Sequence, residues 1–459
     1  PGFGAGPPSI GAELEVSLVN AALGPLPRNR AVLAGITDDR VQLELARFNL
    51  ELNARPVPLA GRPFAALGAQ LEDGLAVIGR AARLHGGRVA MIGILPTLAE
   101  AALESSLLTN THRYCALSTA LRRCRRGPFH VGIEGEDRLA IASDDVAMEG
   151  ANTSFQVHLR VPPEEFADAY NAAQIATAPA LAAAGNSPLF LGHRLWDETR
   201  IALFRQAVDD RFEAAADDWR PARVSFGHGW VREGAFELFA ESVALHEPLL
   251  PVCGPEDPVA CVRAGGVPAL DELRLHHGTV WRWNRAVYDA ALGGHLRIEL
   301  RALPSGPTVI DMMANAAFFL GLVLALRHEA KALVRSMTFG HARRNFYMAA
   351  RSGLDAELLW PTGESPSPRP LPAAELVRRL ISTARGGLVE GGVSGAEADH
   401  LLAIIEAGVA RRQTGASWQR RTLAALEQRL PRAEAIPAMF ERYLEATATG
   451  RPVHEWPIG

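Results

Sequence analysis

Four stretches of the chain alternate apolar and polar residues with a period of two. Because successive side chains of a β-strand point to opposite faces, this alternation predicts strands with one apolar and one polar face. In the clearest case, Phe155, Val157, Leu159 and Val161 share the apolar face. The four stretches are residues 11–17 (GAELEVS), 46–53 (ARFNLELN), 153–161 (TSFQVHLRV) and 295–302 (HLRIELRA). The second belongs to residues 41–53, which are predicted as one long strand or a bent one.

The polar faces of these strands are rich in Glu, His and Arg. Each face alone is most typical of the solvated side of an antiparallel sheet. If the strands are neighbours in one sheet, however, the four faces would merge into one surface, and their combination predicts a functional site. The polar positions are Glu13, Glu15, Ser17, Arg47, Asn49, Glu51, Asn53, Ser154, Gln156, His158, Arg160, His295, Arg297, Glu299 and Arg301.

The residue types on this surface indicate metal and phosphate chemistry. Carboxylates held close together repel one another, and a bound divalent cation relieves that repulsion. Oxygen ligands with one imidazole suit Mg²⁺ or Mn²⁺ rather than a thiolate zinc site. Interleaved arginines suit phosphate oxygens or a substrate carboxylate. The sequence has no GxxxxGK[ST] motif, so a triphosphate would be held mainly through metals and Arg side chains.

Helical spacing separates and follows the strands, which predicts an α+β fold with an α-helical C-terminal tail. Residues 64–85, 111–126, 163–184 and 308–333 are predicted as helices, and residues 373–449 as helical throughout. The Pro-rich segment 361–372 (PTGESPSPRPLP) is typical of a linker. We therefore expect a catalytic domain at residues 1–360 and a helical segment at residues 373–459 that packs on it.

The composition limits the classes of binding partner that we expect for this protein. The 459 residues are 48% hydrophobic and carry a formal net charge of −4, which gives no reason to expect nucleic acid or an anionic membrane as the partner. The most apolar run, residues 316–326, is about half the ~20 residues that span a bilayer, so no membrane association is predicted. The four cysteines show no CxxC spacing, which favours a cytoplasmic location. Homo-oligomerisation is left open.

Several sequence blocks occur in a recognisable order along residues 9–330. They are GAELE (11–15), LELNARP (50–56), HRYCAL (112–117), TSFQVHLRV (153–161), GNSPLFLG (185–192), DETRIALFRQ (197–206) and HLRIELRALPSGPT (295–308). At these blocks the chain resembles the glutamate–cysteine ligase type 2 family, ATP-dependent carboxylate–amine ligases related in fold to glutamine synthetase.

The resemblance implies a curved, mainly antiparallel sheet whose concave face forms a funnel-shaped active site, with helices on the convex face. ATP would enter from one end and an amino-acid-like carboxylate from the other, with two or three Mg²⁺ or Mn²⁺ ions between them. Gln156 stands where many relatives carry a second His, so the metal count is open.

The resemblance also implies roles for individual residues. Glu299 and Arg301 are the expected catalytic residues, with Arg301 contacting the phosphate or acyl phosphate. The expected metal ligands are Glu13, Glu15, Glu51, His158 and Glu299. The expected substrate or nucleotide contacts are Arg113, Arg160, Asn186, Arg200 and Arg297.

These features predict an ATP-dependent ligase that forms an amide, of γ-glutamyl type, through an acyl-phosphate intermediate. The identity of the amine is open, and cysteine is not assured. Two alternatives remain: a phosphotransferase of the guanidino-kinase type, and a catalytically inactive regulatory protein that binds a nucleotide or metabolite.

Overall fold

The computed structural model describes residues 3–211, 220–362 and 367–458. These residues form an α+β fold. The strands are β1 (Ser9–Asn20), β2 (Val41–Leu43), β3 (Asn49–Pro58), β4 (Gly87–Ala90), β5 (Phe129–Glu134), β6 (Arg138–Ser143), β7 (Phe155–Val161), β8 (Leu189–Phe190), β9 (His193–Arg194), β10 (Asn284–Asp289), β11 (His295–Leu300), β12 (Glu357–Trp360) and β13 (Arg369–Pro372).

The α-helices include four in the C-terminal tail, α12 to α15, as the sequence predicts. They are α1 (Asn29–Ala34), α2 (Pro63–Leu84), α3 (His112–Arg125), α4 (Phe166–Ala184), α5 (Thr199–Ala207), α6 (Ala235–Leu245), α7 (Pro258–Arg263), α8 (Asp271–His277), α9 (Val309–Leu326), α10 (Ala330–Ser336), α11 (Phe339–Ser352), α12 (Ala373–Glu390), α13 (Gly395–Arg411), α14 (Gly415–Glu427) and α15 (Arg432–Ala448).

A seven-stranded, curled antiparallel sheet organises the molecule. Its strand order is β10-β11-β7-β1-β3-β2, and β4 pairs with the far end of β1. Among the described residues, three two-stranded hairpins, β5–β6, β8–β9 and β12–β13, lie outside it. The predicted period of two holds in the central strand, where Leu14, Val16 and Leu18 are fully buried. Helices α2, α4 and α9 cover this apolar, convex face.

The segment between β2 and β3 bends sharply instead of continuing as a strand. β2 ends at Leu43 and β3 begins at Asn49, whose N–H donates to the carbonyl of Ala46 across the turn at 2.9 Å. Ala46 is buried, and its Cβ occupies the space where a side chain on Gly150 would have to fit. The prediction that Arg47 lies on the polar strand face is therefore wrong, because the turn leaves Arg47 exposed.

Helix α9 is the central helix of the core. Thr308 caps its N-terminus by accepting from the N–H of Asp311 at 3.2 Å. The segment Val309–Ser336 is long and apolar enough to cross a membrane, since it contains an 18-residue window with a mean hydropathy of 2.1, but 89% of that window is buried inside the protein. This segment is the core helix of a globular fold, as expected for its apolar run.

The C-terminal helices pack directly on that core. Helix α12 crosses α9 where Gly321 meets Gly387, and a Cβ on Gly387 would lie 2.1 Å from the Gly321 carbonyl oxygen. Only glycine permits this approach of the two backbones. The predicted linker at residues 361–372 is partly a strand, since β13 pairs with β12, while residues 363–366 lie outside the described part of the chain. The division at residues 360 and 373 stays a prediction.

Candidate active site

The four predicted polar faces lie side by side on the concave face of the sheet. β1 is flanked by β3 and β7, and β11 follows β7. In this register Glu15 lies opposite Glu51, and His158 lies opposite Glu299. The adjacency on which the site hypothesis depended is therefore present.

A first carboxylate group consists of Glu15, Glu44 and Glu51, each with a carboxylate oxygen within 4.8 Å of the others. Amide groups donate hydrogen bonds to their side chains. The backbone N–H of Ser154 donates to Glu15 Oε2 at 2.6 Å, and Asn53 Nδ2 donates to Glu51 Oε1 at 2.7 Å. Neutral donors therefore orient these carboxylates without neutralising their charge.

Burial and mutual repulsion raise the pKa values of this group. Burial, followed by the charges of Glu13 and Glu15, raises the pKa of Glu51 to about 8. Burial and the charge of Glu51 hold the pKa of Glu44 well above its usual value. Burial likewise raises the pKa of Glu15. Ionisation of the whole group would be stabilised by a cation.

A second ligand group consists of Glu13, His158 and Glu299, whose ligand atoms also lie within 4.8 Å of one another. His158 Nε2 lies 2.9 Å from Glu13 Oε1, and Arg297 Nε donates to His158 Nδ1 at 3.2 Å. Because Nδ1 accepts, the proton of neutral His158 lies on Nε2 and is donated to Glu13. A cation bound between these two side chains would replace that proton.

Two arginines hold Glu299 ionised. Arg285 Nε donates to Glu299 Oε2 at 2.6 Å, and Arg301 donates to Glu299 Oε1. Burial opposes ionisation of this carboxylate, but the charges of Arg285 and Arg301 outweigh it and lower the pKa of Glu299 far below its usual value. Arg301 also donates to Gln156 Oε1 at 2.5 Å. The two guanidinium groups are thus fixed in position at the base of the site.

The two sides of the concave face consequently carry opposite charge. One side, built from β1, β3 and the segment after β2, carries Glu13, Glu15, Glu44 and Glu51. The other side, built from β10 and β11, carries Arg285, Arg297 and Arg301. His158 and Glu299 lie between the two sides.

Arg160 and Arg297 extend the basic side. They face each other across β7 and β11, two positions from the His158–Glu299 pair. Arg297 Nη1 donates to Asp289 at 2.8 Å, and Arg160 donates to the backbone carbonyl of Ala5. Both are therefore beside the second ligand group, and their contacts to substrate or nucleotide stay predictions.

Arg200 is buried. Its Nε donates to Glu198 at 2.7 Å and its Nη2 donates to the carbonyl of Ala302 at 2.8 Å. The charge of Arg200 helps to lower the pKa of Glu15, although burial of Glu15 prevails. Arg113 is exposed at the start of α3, beside Tyr114, whose hydroxyl donates to the carbonyl of Leu43 at 3.2 Å. Direct ligand contacts by Arg113 and Arg200 stay predictions.

Asn186 belongs to a buried cluster that we call the amide node: Asn186, Gln419 and Tyr443. Asn186 Nδ2 donates to the carbonyl of Ser305 and to the hydroxyl of Tyr443, both at 2.8 Å, and Asn186 Oδ1 accepts from Gln419 at 2.9 Å. The side chain has no exposed surface. Its polar groups are thus used to join the loop before β8 to the C-terminal helices.

Sequence reasoning missed three residues of the site. Glu44 and Glu51 are an odd number of positions apart, so an unbroken strand would place them on opposite faces. The turn at residues 44–48 brings both to one face. Arg285 lies on β10, which was not predicted as a strand. Glu149 lies in a 3₁₀ turn before β7, where the charge of Glu15 acts on it. The sequence did offer a signal for Glu149, which is the acidic residue of the short MEG sequence before a strongly alternating strand.

The donor sets of both groups fit hard divalent cations. The first offers only carboxylate oxygens, and the second offers two carboxylates and one imidazole, which are ligands typical of Mg²⁺ or Mn²⁺. The raised pKa of Glu51, which reflects burial first and then the charges of Glu13 and Glu15, agrees with a site that a cation would stabilise. The residues present therefore suit bound cations.

Comparisons with known proteins identify the family and the fold. The profile of the glutamate–cysteine ligase family 2 matches residues 9–437. No curated protein sequence matches the chain. A glutamate–cysteine ligase from Francisella tularensis in complex with AMP has a similar fold, with a TM-score of 0.59 at 11% identity over 100% of this chain and 91% of that chain. A bifunctional glutathione synthetase from Pasteurella multocida gives a TM-score of 0.46 at 11% identity over 96% and 52%.

The family match covers far more than half of the chain, and the resemblance inferred from the sequence blocks is confirmed. The curled antiparallel sheet with its helical layer is the glutamine synthetase-like fold that the resemblance implies. The chain therefore belongs to the glutamate–cysteine ligase family 2 and is an ATP-dependent carboxylate–amine ligase.

Proposed function

We propose that this ligase activates the side-chain carboxylate of an amino-acid-like substrate as an acyl phosphate and transfers the acyl group to an amine, giving an amide of γ-glutamyl type. A carboxylate is a poor electrophile, so its oxygen first attacks the γ-phosphorus of ATP and releases ADP. The amine nitrogen then displaces phosphate from the acyl carbon. Both steps depend on positioning and on neutralising negative charge.

The division of charge across the concave face is the observation that carries this proposal. The acidic side, with Glu13, Glu15, Glu44 and Glu51, suits cations, and the neighbouring basic side suits the oxygens of phosphate groups. A nucleotide phosphate chain needs both, because it carries several negative charges and binds metal. The AMP bound to the Francisella tularensis ligase supports nucleotide use here.

We assign the metal sites to the two groups already described. Glu15, Glu44 and Glu51 would hold one cation, and Glu13, His158 and Glu299 another. Such cations would supply positive charge that neutralises the phosphate oxygens of the nucleotide.

Among the protein groups, Arg301 has the central position. Its guanidinium contacts Glu299 and Gln156, so its direction is fixed before substrate binds. We assign it to the transferred phosphate, where its charge stabilises the negative charge that develops on the oxygens. Arg160 and Arg297 are assigned to the nucleotide or acid substrate.

The test is a product assay on the purified full chain. We expect ADP release with ATP, Mg²⁺ or Mn²⁺, L-glutamate and hydroxylamine, with formation of a γ-glutamyl hydroxamate identified by mass spectrometry. A panel of other amino-acid-like carboxylates and of amines then defines the acid and the amine. EDTA should abolish turnover, and excess Mg²⁺ should restore it.

Three results would contradict the proposal. Phosphorylation of a guanidino compound without amide formation would favour the phosphotransferase alternative. Absence of ADP release for every acid and amine would favour the regulatory alternative. Unchanged turnover in EDTA would remove the metal assignment.

We also propose a cytoplasmic location. The four cysteines are free thiols, and in the part of the chain that the structure describes they form no disulfide. Reduced cysteines are typical of that compartment.

A further inference from the structure

A surface cleft, which we call the arginine cleft, lies beside the turn that joins β2 to β3. It has a volume of about 620 Å³ and is lined by Arg30, Arg47, residues from the segment 105–110 and one side of α3. A second cleft of about 420 Å³ is lined by the same two arginines and by Arg28. Both volumes lie in the range of small-molecule sites, roughly 300–1,000 Å³.

The positive charge of these clefts is not neutralised by the protein. Among the described residues that line the two clefts, none is Asp or Glu, and the three arginines form no ion pair within the part of the chain that the structure describes. The guanidinium of Arg47 donates to the carbonyl of Ser106 at 3.2 Å, and that of Arg30 donates to the carbonyl of Asn110. A guanidinium has five N–H donors, so most of them stay available to a ligand.

Two buried hydroxyl groups add hydrogen-bond donors to the wall of the arginine cleft. Thr109 is 1% exposed and Ser118 is 8% exposed, and both line the cleft. Thr109 Oγ1 accepts from Asn29 Nδ2 at 2.9 Å, but its own proton has no acceptor among the described residues. The Ser118 hydroxyl likewise forms no hydrogen bond within that part of the chain. Both hydroxyls can therefore donate to a ligand.

These donors define the chemistry of the ligand. Guanidinium groups bind phosphate and carboxylate oxygens through charge-assisted, often paired hydrogen bonds. Leu108 is the only large aliphatic side chain among the described residues that line the clefts, so an apolar ligand would find little surface to contact. Three arginines spread over two clefts suit a molecule with more than one anionic group. None of the lining residues belongs to the two metal-ligand groups.

The wall of the arginine cleft is joined to the turn that carries Glu44. The N–H of Thr109 donates to the carbonyl of Leu45 at 2.7 Å, and the N–H of Arg47 donates to the carbonyl of Leu107 at 2.8 Å. Glu44 is a member of the first carboxylate group. A ligand that binds the guanidinium groups of the cleft therefore acts on the segment that positions one of the carboxylates of the active site.

We propose that the arginine cleft binds a small molecule with two or more phosphate or carboxylate groups, and that its occupancy changes the Mg²⁺ requirement of the ligase. The first part stands on the cleft alone. The second part rests on the proposed function, because it requires a cation at the first carboxylate group. The cleft is thus a regulatory anion site on the outer side of the turn at residues 44–48.

Cys115 provides a local readout of binding. It is exposed and lines the arginine cleft, so a bound ligand should slow its alkylation by iodoacetamide. Cys253 is exposed and is not among the lining residues, which makes it the internal reference. The probes are fructose bisphosphate and tricarballylate, added to the full chain without metal. Sodium chloride of equal ionic strength is the control for charge screening. Mass spectrometry of the two cysteine peptides measures the alkylation rates.

Substitutions assign the protection to the cleft. The double variant with Arg30→Gln and Arg47→Gln should need at least about 30-fold more probe to protect Cys115, because it loses charge-assisted hydrogen bonds. Ser118→Ala should need about fivefold more, since it loses one hydrogen bond. A second double variant, with Arg80→Gln and Arg83→Gln, removes two exposed arginines from α2 and should behave like the wild type.

Turnover at controlled free Mg²⁺ tests the regulatory part. In the wild type, the protecting probe should shift the free Mg²⁺ concentration that gives half-maximal ADP release by at least about fivefold, the usual lower limit for coupling between two sites. The double variant with Arg30→Gln and Arg47→Gln should lose this shift and keep the turnover of the wild type without probe.

Each outcome decides one part of the proposal. If neither probe protects Cys115 at millimolar concentration, or if protection is equal in the double variant with Arg30→Gln and Arg47→Gln, the anion site does not exist. Protection without a change in the Mg²⁺ requirement contradicts the regulatory part alone. Absence of turnover with every acid and amine contradicts the proposed function, whereas protection of Cys115 still measures the site. Protection by the bisphosphate alone identifies a phosphate ligand, and protection by tricarballylate alone identifies a carboxylate ligand.

Discussion

The amide node and the first carboxylate group are both polar clusters in the interior, but in the amide node both polar atoms of the Asn186 side chain are paired with protein groups. Asn186 donates to Ser305 and Tyr443 and accepts from Gln419, and the hydroxyl of Tyr443 donates onward to the carbonyl of Met91 at 2.7 Å. Each strong donor of Asn186 has an acceptor that the fold itself supplies. Such a cluster adds to stability.

The first carboxylate group has the opposite character. Glu15, Glu44 and Glu51 bring like charges within 4.8 Å of one another, and burial with mutual repulsion raises their pKa values. The fold holds these groups together at a cost in stability that a ligand would offset. The difference teaches that buried carboxylates of like charge mark the functional site here, whereas the paired amide of Asn186 joins the loop before β8 to the C-terminal helices.

The largest expected effect comes from neutralising one member of the first carboxylate group. Glu51→Gln should lower ATP-dependent turnover by about 1,000-fold, since a metal contributes several kcal/mol of charge stabilisation in the transition state. The same change removes a repelling charge, so the metal-free protein should unfold at an equal or higher temperature than the wild type. Steady-state kinetics and thermal unfolding measure the two effects.

Two controls sharpen this prediction. Glu357→Gln makes the same substitution at an exposed strand position and should leave both quantities unchanged. Excess Mg²⁺ should raise the unfolding temperature of the wild type more than that of Glu51→Gln, because ligand binding to the folded state stabilises it. A Glu51→Gln protein that is fully active, or less stable than the wild type without metal, would break the comparison.

At the amide node we expect the reverse result: a substitution should lower the stability of the fold and leave the metal dependence of turnover unchanged. The effect should also be smaller than that of Glu51→Gln on turnover. Asn186→Ala leaves the carbonyl of Ser305 without a partner and reduces the bonds of the Gln419 amide to the one with the backbone carbonyl of residue 186. It should therefore reduce the free energy of unfolding by about 3 kcal/mol. The Mg²⁺ dependence of turnover should not change in the protein that remains folded. Denaturant unfolding and metal titration of turnover measure the two quantities.

The exposed substitution Gln42→Ala, on β2, is the control for Asn186→Ala. If Asn186→Ala instead raised the KM of the acid or of ATP at unchanged stability, Asn186 would be the substrate or nucleotide contact that the family resemblance implies. The amide node would then bind a ligand, and its assignment as a purely structural cluster would be wrong.

The sequence predicted the difference between the first carboxylate group and the amide node only in part. The period of two assigned Glu13, Glu15, Glu51, His158 and Glu299 to polar strand faces, since alternation is a local property of the chain. Their meeting on one surface depended on strand order, which the family resemblance supplied.

The sequence did not reveal the remaining residues for identifiable physical reasons. Glu44 changes face because the chain turns before Asn49, and a strict alternation cannot register a turn inside an apolar run. Glu149 belongs to a turn, where no periodicity applies. The partners of Asn186 are 233 and 257 residues away in the sequence, so no local pattern could show that its amide is already used.

The smallest predicted effect concerns a buried carboxylate in the core, Asp311, whose hydrogen bonds resemble those of the amide node. It accepts from Thr308 at 2.6 Å and from the N–H of Val453 at 3.1 Å, and burial raises its pKa to about 7. The folded protein therefore keeps a proton at pH 6 that the unfolded chain has lost, and this advantage fades as the pH rises through 7. The free energy of unfolding should fall by about 1 kcal/mol from pH 6 to pH 7 through this group.

Asp311→Asn isolates that contribution, because its amide can still accept from Val453 and can donate to Thr308. Denaturant unfolding at pH 6 and pH 7 should show the wild type losing about 1 kcal/mol more than Asp311→Asn. Glu51→Gln, measured in parallel, separates the carboxylates of the site, which also titrate near this range. If Asp311→Asn loses stability as steeply as the wild type while Glu51→Gln does not, the pH dependence belongs to the site alone. Asp311 would then be ionised in the folded protein, and its hydrogen-bond donors would fully compensate its charge. It would therefore belong with the fully paired polar groups, as Asn186 does.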